Sequence, residues 1–260
     1  VKLKLSATSK FSMTLSKLQF RLLILSNLGA WSLLIFLVLT GFISADKQEF
    51  EEITAKRVNI VNDDGTTVIA IANKQRIAAP RFDGHEYPVA VSEGRQYMEG
   101  MIFFNEQGDE MGGLVFNSFK LPNGRVAGIG HLSFDRFNDN QEISLEYNEN
   151  RRGVKSGLTF YDRPGDGSFV KSLDFLEEAY FGEPSPDRLQ AIKDSLGMMW
   201  VQHAFGAERV FIGSKNEEPQ LLLKDTKGNP RLRMIVDSSD MARLQFLDAN
   251  GVLISEFPKQ

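Results

Sequence analysis

Residues 101–116 read MIFFNEQGDEMGGLVF: an apolar run ends in Asn105, Gly108 follows three residues later, and a second apolar run begins. Short β-branched and aromatic runs on either side of such a break mark two strands joined by a hairpin. The asparagine can accept hydrogen bonds from the turn's own backbone. The glycine supplies the positive φ that a type I turn with a following bulge demands. The same unit recurs at VNIVNDDGTTVIAI (58–71), LTFYDRPGDGSFV (158–170), LLLKDTKGNPRLRMIV (221–236) and LQFLDANGVLISEF (244–257), with Gly65, Gly165, Gly228 and Gly251 in the turns. Residues 126–137 and 143–147 alternate between two faces and add further strands. About a dozen strands exceed what one open twisted sheet ordinarily holds, so the expected fold is mainly β: antiparallel hairpins built into a sandwich, barrel or irregular propeller. The turn glycines are unevenly spaced, which favours local hairpin chemistry over a strict repeat.

A helical insertion is expected near 172–197. Ser185, Pro186 and Asp187 form a helix start, Leu189, Ile192 and Leu196 share one face, and Gly197 is the expected stop. Residues 172–181, SLDFLEEAYF, suggest a second short helix. Such helices would suit an exposed end or edge of the β-structure.

Ahead of the hairpins, LLILSNLGAWSLLIFLVLTGFI (22–43) runs without a charge, long enough as a helix for a hydrocarbon core of about 30 Å. Residues 1–45 hold five basic side chains (Lys2, Lys4, Lys10, Lys17, Arg21) and no acidic one, while 46–260 hold 25 basic and 34 acidic, a net of −9. This asymmetry predicts a basic cytoplasmic tail (1–21), a transmembrane anchor (22–45) contacting the lipid bilayer through 22–43, and an extracytoplasmic domain (46–260), periplasmic or at the cell surface. A leader cleaved after Ala45 is the competing reading and exports the same domain.

The chain has no cysteine, which excludes disulfide staples and thiolate metal centres. Its net charge of −4 argues against a nucleic-acid partner. Twenty Phe against two Trp and five Tyr point to core packing more than to a sugar-stacking surface. No phosphate-binding loop, dinucleotide fingerprint or nucleophile elbow occurs.

The densest polar cluster is Gly108-Asp109-Glu110-Met111-Gly112-Gly113, where Asp109 and Glu110 are candidate calcium ligands, although six or more oxygens are needed. On the strand around Ser133, His131 and Asp135 share a face, but i and i+4 lie about 13 Å apart at ~3.3 Å per residue, so any partner of His131 must come from another strand. Asp135, Asp139, Glu142 and Glu146 form an acidic run that could meet Asp109 or Glu110 and supply the paired carboxylates of a glycosidase. His85 and His203 stand in other segments, so a three-histidine metal site would need tertiary coincidence.

The segments GMIFFNEQGDEMGGLVFNS (100–118), LSFDRFNDNQEISLEY (132–147) and GLTFYDRPGDGS (157–168) resemble a family of uncharacterised bacterial proteins with an N-terminal membrane segment and the same run of hairpins. The resemblance covers about residues 53–170 and implies a bacterial source, with no activity or site residue attached. The expected function is a membrane-anchored extracytoplasmic β-domain, a non-enzymatic binding or envelope interaction protein with an envelope protein or glycan as partner. The alternatives are an exported carboxylate-dependent hydrolase using Asp109, Glu110, Asp135 or Asp139 with His131, and a calcium-stabilised binding module.

Overall fold

The computed structural model describes residues 16–41, 49–92 and 94–259; Ile43 and Ala45 lie outside them. The chain divides into two units, Val1–Ile53 and Thr54–Gln260. The first holds helix α1 (Lys17–Gly41), of which Lys17–Phe36 is long and apolar enough to cross a membrane. The helix starts earlier than the apolar run because Ser16 and Gln19 form a capping box: Gln19 N–H donates to Ser16 Oγ (3.3 Å) and Ser16 N–H to Gln19 Oε1 (2.9 Å). Within the apolar stretch, Ser26 Oγ and Asn27 Nδ2 both donate to the Leu23 carbonyl at 3.0 Å, so these polar groups are satisfied by the helix itself.

The second unit contains β1 (Arg57–Val61), β2 (Thr67–Ala72), β3 (Arg81–Phe82), β4 (His85–Glu86), β5 (Glu99–Phe104), β6 (Glu110–Lys120), β7 (Val126–Asp135), β8 (Gln141–Asn150), β9 (Gly153–Asp162), β10 (Ala207–Lys215), β11 (Glu218–Lys224), β12 (Pro230–Val236), β13 (Ala242–Leu247) and β14 (Leu253–Phe257). All except the small β3–β4 hairpin form one antiparallel sheet of twelve strands, in the order β1-β2-β5-β6-β7-β8-β9-β10-β11-β12-β13-β14. Its two edge strands do not pair, so the sheet is an open meander and not a closed barrel. Twelve strands stay in one ladder because most connections are too short to let a strand leave its predecessor. The two long connections, 73–98 and 163–206, each return to the neighbouring position.

Four of the five quoted units form the expected hairpins. The amides of Gly65, Gly108, Gly228 and Gly251 donate to the carbonyls of Asn62, Asn105, Asp225 and Asp248, and a register shift follows in each strand pair. In the last three of these turns Oδ1 of Asn105, Asp225 or Asp248 accepts from two turn amides. The unit at 158–170 is different. β9 ends at Asp162, Gly165 N–H donates to the buried Asp139 Oδ2 at 2.8 Å, and the next run becomes α2 (Ser168–Phe181) because its apolar spacing is helical. Five further hairpins of the large sheet carry weaker signals, among them one that turns at Gly124 and two, at Arg136 and Asp237, where Asn138 (φ 49°) and Asp240 (φ 59°) supply the positive φ instead of glycine.

Helix α3 (Pro186–Val201) starts as expected, with Ser185 Oγ accepting from Arg188 N–H at 3.3 Å. It runs through Gly197, whose backbone stays helical, and ends four residues later than predicted. The helices do not cover a sheet edge. They interrupt the passage between the adjacent strands β9 and β10, and Leu173 of α2 packs with Phe82, Tyr87 and Val91 of the 73–98 segment.

The register divides the sheet into two unlike faces. On one, an unbroken row crosses all twelve strands: Val58, Ile71, Met101, Leu114, Leu132, Leu145, Leu158, Ile212, Leu221, Met234, Leu244 and Phe257. Beside it runs Ile60, Ile69, Phe103, Gly112, Phe134, Ile143, Phe160, Val210, Leu223, Leu232, Phe246 and Ser255. Apart from Gly112, no residue of either row is buried. The opposite face carries Ala70, Ile102, Gly113, Ser133, Ser144, Thr159 and Phe211 in register, and most of these are fully buried. This is the roofed face: Ile77 and Ala78 of the 73–98 segment pack with Ala70, Ile102 and Val115.

Candidate functional site

A cavity of about 300 Å³ lies between the roofed face and the 73–98 segment. The segment contributes Ser92, Arg95 and Met98; the sheet contributes Glu110 and Val115 from β6, His131 and Ser133 from β7, Gln141 and Glu146 from β8, and Tyr161 from β9. Small residues make the floor. A side chain at Gly113 would meet the Met101 carbonyl at 2.6 Å, and one at Gly157 the Phe211 ring at 2.6 Å, so the strands close up there and leave the space above them open.

Arg95 anchors the roof to the floor. Its Nη1 donates to the Ala78 carbonyl at 3.0 Å and its Nη2 to Glu110 Oε1. The other Glu110 oxygen, Oε2, is buried without a hydrogen-bond partner, although the residue is only 6% exposed. On the neighbouring strands, Asp135 Oδ1, Glu142 Oε2 and Thr159 Oγ1 are likewise buried without partners. A buried acceptor left unpaired costs roughly 1–3 kcal/mol; of these four residues only Glu110 lines the cavity.

The electrostatics reflect this burial. Desolvation, reinforced by the nearby Glu110 carboxylate, pushes Asp135 up to about 7 despite a hydrogen bond from Ser133 and the charges of Arg95 and Arg163. Burial also lowers His131, as does Lys155, while Glu146 opposes them. Glu146 is the register partner of His131 across β7 and β8 and sits 3.6 Å from Lys155 Nζ. Glu146 thus faces His131 from the neighbouring strand and acts on it through its charge, while its ion pair is with Lys155.

The sequence candidates separate by role. Glu110 and His131 line the cavity, and Asp135 adjoins Glu110. Asp109 faces elsewhere: its Oδ1 accepts from Gly84 N–H at 2.8 Å and lies 3.8 Å from Arg81 Nε, tying the β5–β6 turn to the β3–β4 hairpin. Asp139, 2% exposed, accepts from Asn140 and Gly165 amides and pins the loop after β9. Asp109 and Glu110 each engage an arginine on a different side, and no group of three His, Asp or Glu among the described residues is arranged to hold a metal. His85 pairs with Glu177 at 2.8 Å, far in sequence and role from His131.

Residues that pattern reading passes over complete the site. Arg163 donates to the Gln141 and Phe205 carbonyls at 2.7 and 2.6 Å, and its guanidinium stacks 4.4 Å over the Tyr161 ring. Tyr161 stands two residues from Thr159 on β9, so alternation along the strand puts both on the roofed face. Arg95 carried no local signal, since its partner lies on a strand reached only by folding the 73–98 segment over the sheet. No protein-family model, curated protein or solved structure matches the chain.

Proposed function

We propose that this chain is a membrane-anchored, extracytoplasmic binding module of the bacterial envelope, without enzymatic activity, whose roofed cavity takes a small neutral molecule rich in hydroxyl groups, such as one unit of an envelope glycan. The observation that carries this reading is the buried, unpartnered Glu110 Oε2 at a cavity whose other charges are paired, Arg95 with Glu110 and Lys155 with Glu146. A neutral ligand that donates a hydroxyl hydrogen to that oxygen adds no unpaired charge. The anchoring rests on α1 and on the five basic and no acidic residues of 1–45, ahead of a domain of net charge −9. The bacterial setting rests on the resemblance of residues 53–170. Titration of the purified full chain with envelope saccharide fragments, monitored by calorimetry, tests the reading. Saturable binding lost in Glu110→Gln and kept in Asp109→Asn supports it, and heat that is the same for both variants removes it.

One observation favours a hydrolase as the second reading: Asp135, protonated near neutral pH beside a second carboxylate, has the equipment of a general acid. Turnover of aryl glycosides that disappears in both Asp135→Asn and Glu110→Gln would install that reading in place of simple binding.

A further inference from the structure

The apolar face of the sheet has no covering layer among the described residues of Thr54–Gln260. Two adjacent rows of large side chains run from the first strand to the last. Phe134, Leu145, Ile212, Met234 and Phe257 on them are 55%, 52%, 46%, 50% and 70% exposed. A sheet ordinarily buries one face against another layer, and α2 packs with the 73–98 segment instead. One flank of the stripe is polar, with turns built on Asn62, Asn105, Asp225 and Asp248; on the other, Phe116 and Tyr147 stand in one row with Gly130, Ser156 and Ser214. An apolar centre with a polar rim is the anatomy of a protein interface, and the stripe has such a rim along its turn side.

We infer that a second copy of this chain covers this face, so that two single-layer sheets form one sandwich with an isologous interface. Area and shape both support that occupant. Eleven strand spacings of ~4.8 Å make the stripe about 50 Å long. Two rows of side chains make it about 14 Å wide, giving a footprint of about 700 Å² per copy, close to the ~800 Å² per partner of a standard stable interface. A twisted sheet also turns by about 20–25° at every strand, and over twelve strands a compact partner loses contact with it. A layer with the same strand number and the same twist tracks it from end to end, and another copy of this chain is such a layer. The interface is remote from the Glu110 cavity, which opens on the opposite face, so this inference stands or falls separately from the binding reading.

The full chain in detergent, measured by light scattering at micromolar concentration, is expected to have twice the 29.2 kDa protein mass of one copy. Leu145→Glu with Phe134→Glu is expected to halve it while the β-signal in circular dichroism is retained. Because the chain has no cysteine, Leu145→Cys alone should give an oxidised covalent dimer, since it lies at the middle of the stripe, where either two-fold arrangement brings the copies' central strands together. Ser133→Cys, on the roofed face, should not. A wild-type protein of single mass, a dimer that survives the double substitution through α1, or equal crosslinking of both cysteine variants each overturns the inference. A Leu145→Cys variant protected from thiol labelling only by added lipid vesicles, with no dimer, would assign the face to the membrane and overturn it as well.

Discussion

The two faces of the twelve-stranded sheet invert the usual relation between side-chain polarity and burial. The roofed face buries Ser133, Ser144 and Thr159 at 4%, 0% and 0% exposure, whereas the other face leaves Phe134 and Leu145 more than half exposed. The difference lies in what each face can gather from its own chain. Small residues on one face let the 73–98 segment settle over it, held by Arg95 and by the contact of Leu173 with Tyr87. Large aliphatic residues on the other offer a continuous surface that no segment of the second unit reaches. A strand's inward side is therefore decided by available covering mass and not by hydrophobicity alone.

That contrast can be broken most forcefully at the roof. Arg95→Met leaves Glu110 buried without its cation and should cost about 3–5 kcal/mol. The double variant Arg95→Met with Glu110→Leu should recover most of the loss in denaturant unfolding; equal stabilities of the single and double variants would show that the pair does not hold the roof. Gly213→Val comes next, because a Cβ there would stand 2.1 Å from the Ser156 carbonyl. Overpacking of this kind costs about 1–3 kcal/mol, while Leu114→Ala on the bare face of the dissociated chain should change stability by no more than about 0.5 kcal/mol.

The buried carboxylate gives a pH signature of similar size. An unfolded Asp135 ionises near its ordinary value of about 3.9, and the folded one near 7. Between those values the folded chain keeps a proton that the unfolded chain has lost, so this group removes stability as pH rises from about 4 to about 7. His131, lowered by burial, acts oppositely, and its contribution falls away as pH drops below its unfolded value of about 6.5. Asp135→Asn should therefore gain most over the wild type at pH 8 and almost nothing at pH 4; melting curves that stay parallel across that range would show that the site is wetter than its geometry implies. The turns give a smaller effect than the buried groups. Gly251→Ala places a Cβ at φ +78° with no neighbour within 4 Å, so a loss of about 1 kcal/mol would come from backbone alone.

Much of the architecture was legible in local chemistry. Asn105, Asp225 and Asp248 with their glycines three residues on specify hairpins because side-chain acceptor, turn amides and positive φ all lie within five residues. Ser185-Pro186 started α3 for the same reason. Gly165 misled because its turn chemistry resembles the others, while Ser168–Phe181 has the apolar spacing of a helix. Gly197 misled because a glycine stops a helix only where the chain must turn, and nothing there demands it. Of the candidates named by residue type, Glu110 and His131 line the cavity and Asp135 adjoins Glu110. Asp109 and Asp139, equally acidic, hold loops together because the amides of Gly84 and Gly165 reach them only in the folded chain.

The sequence by itself determined the apolar N-terminal helix, the antiparallel hairpins and the alternation that separates the sheet's two faces, since each depends on interactions within a few residues. Only the tertiary structure decided that the hairpins join one open sheet, that Arg95 crosses to Glu110, and that the row carrying Ser133, Ser144 and Thr159 is the buried one. Those outcomes depend on which distant segment comes to lie over which face, and residue spacing along a chain carries no record of that choice.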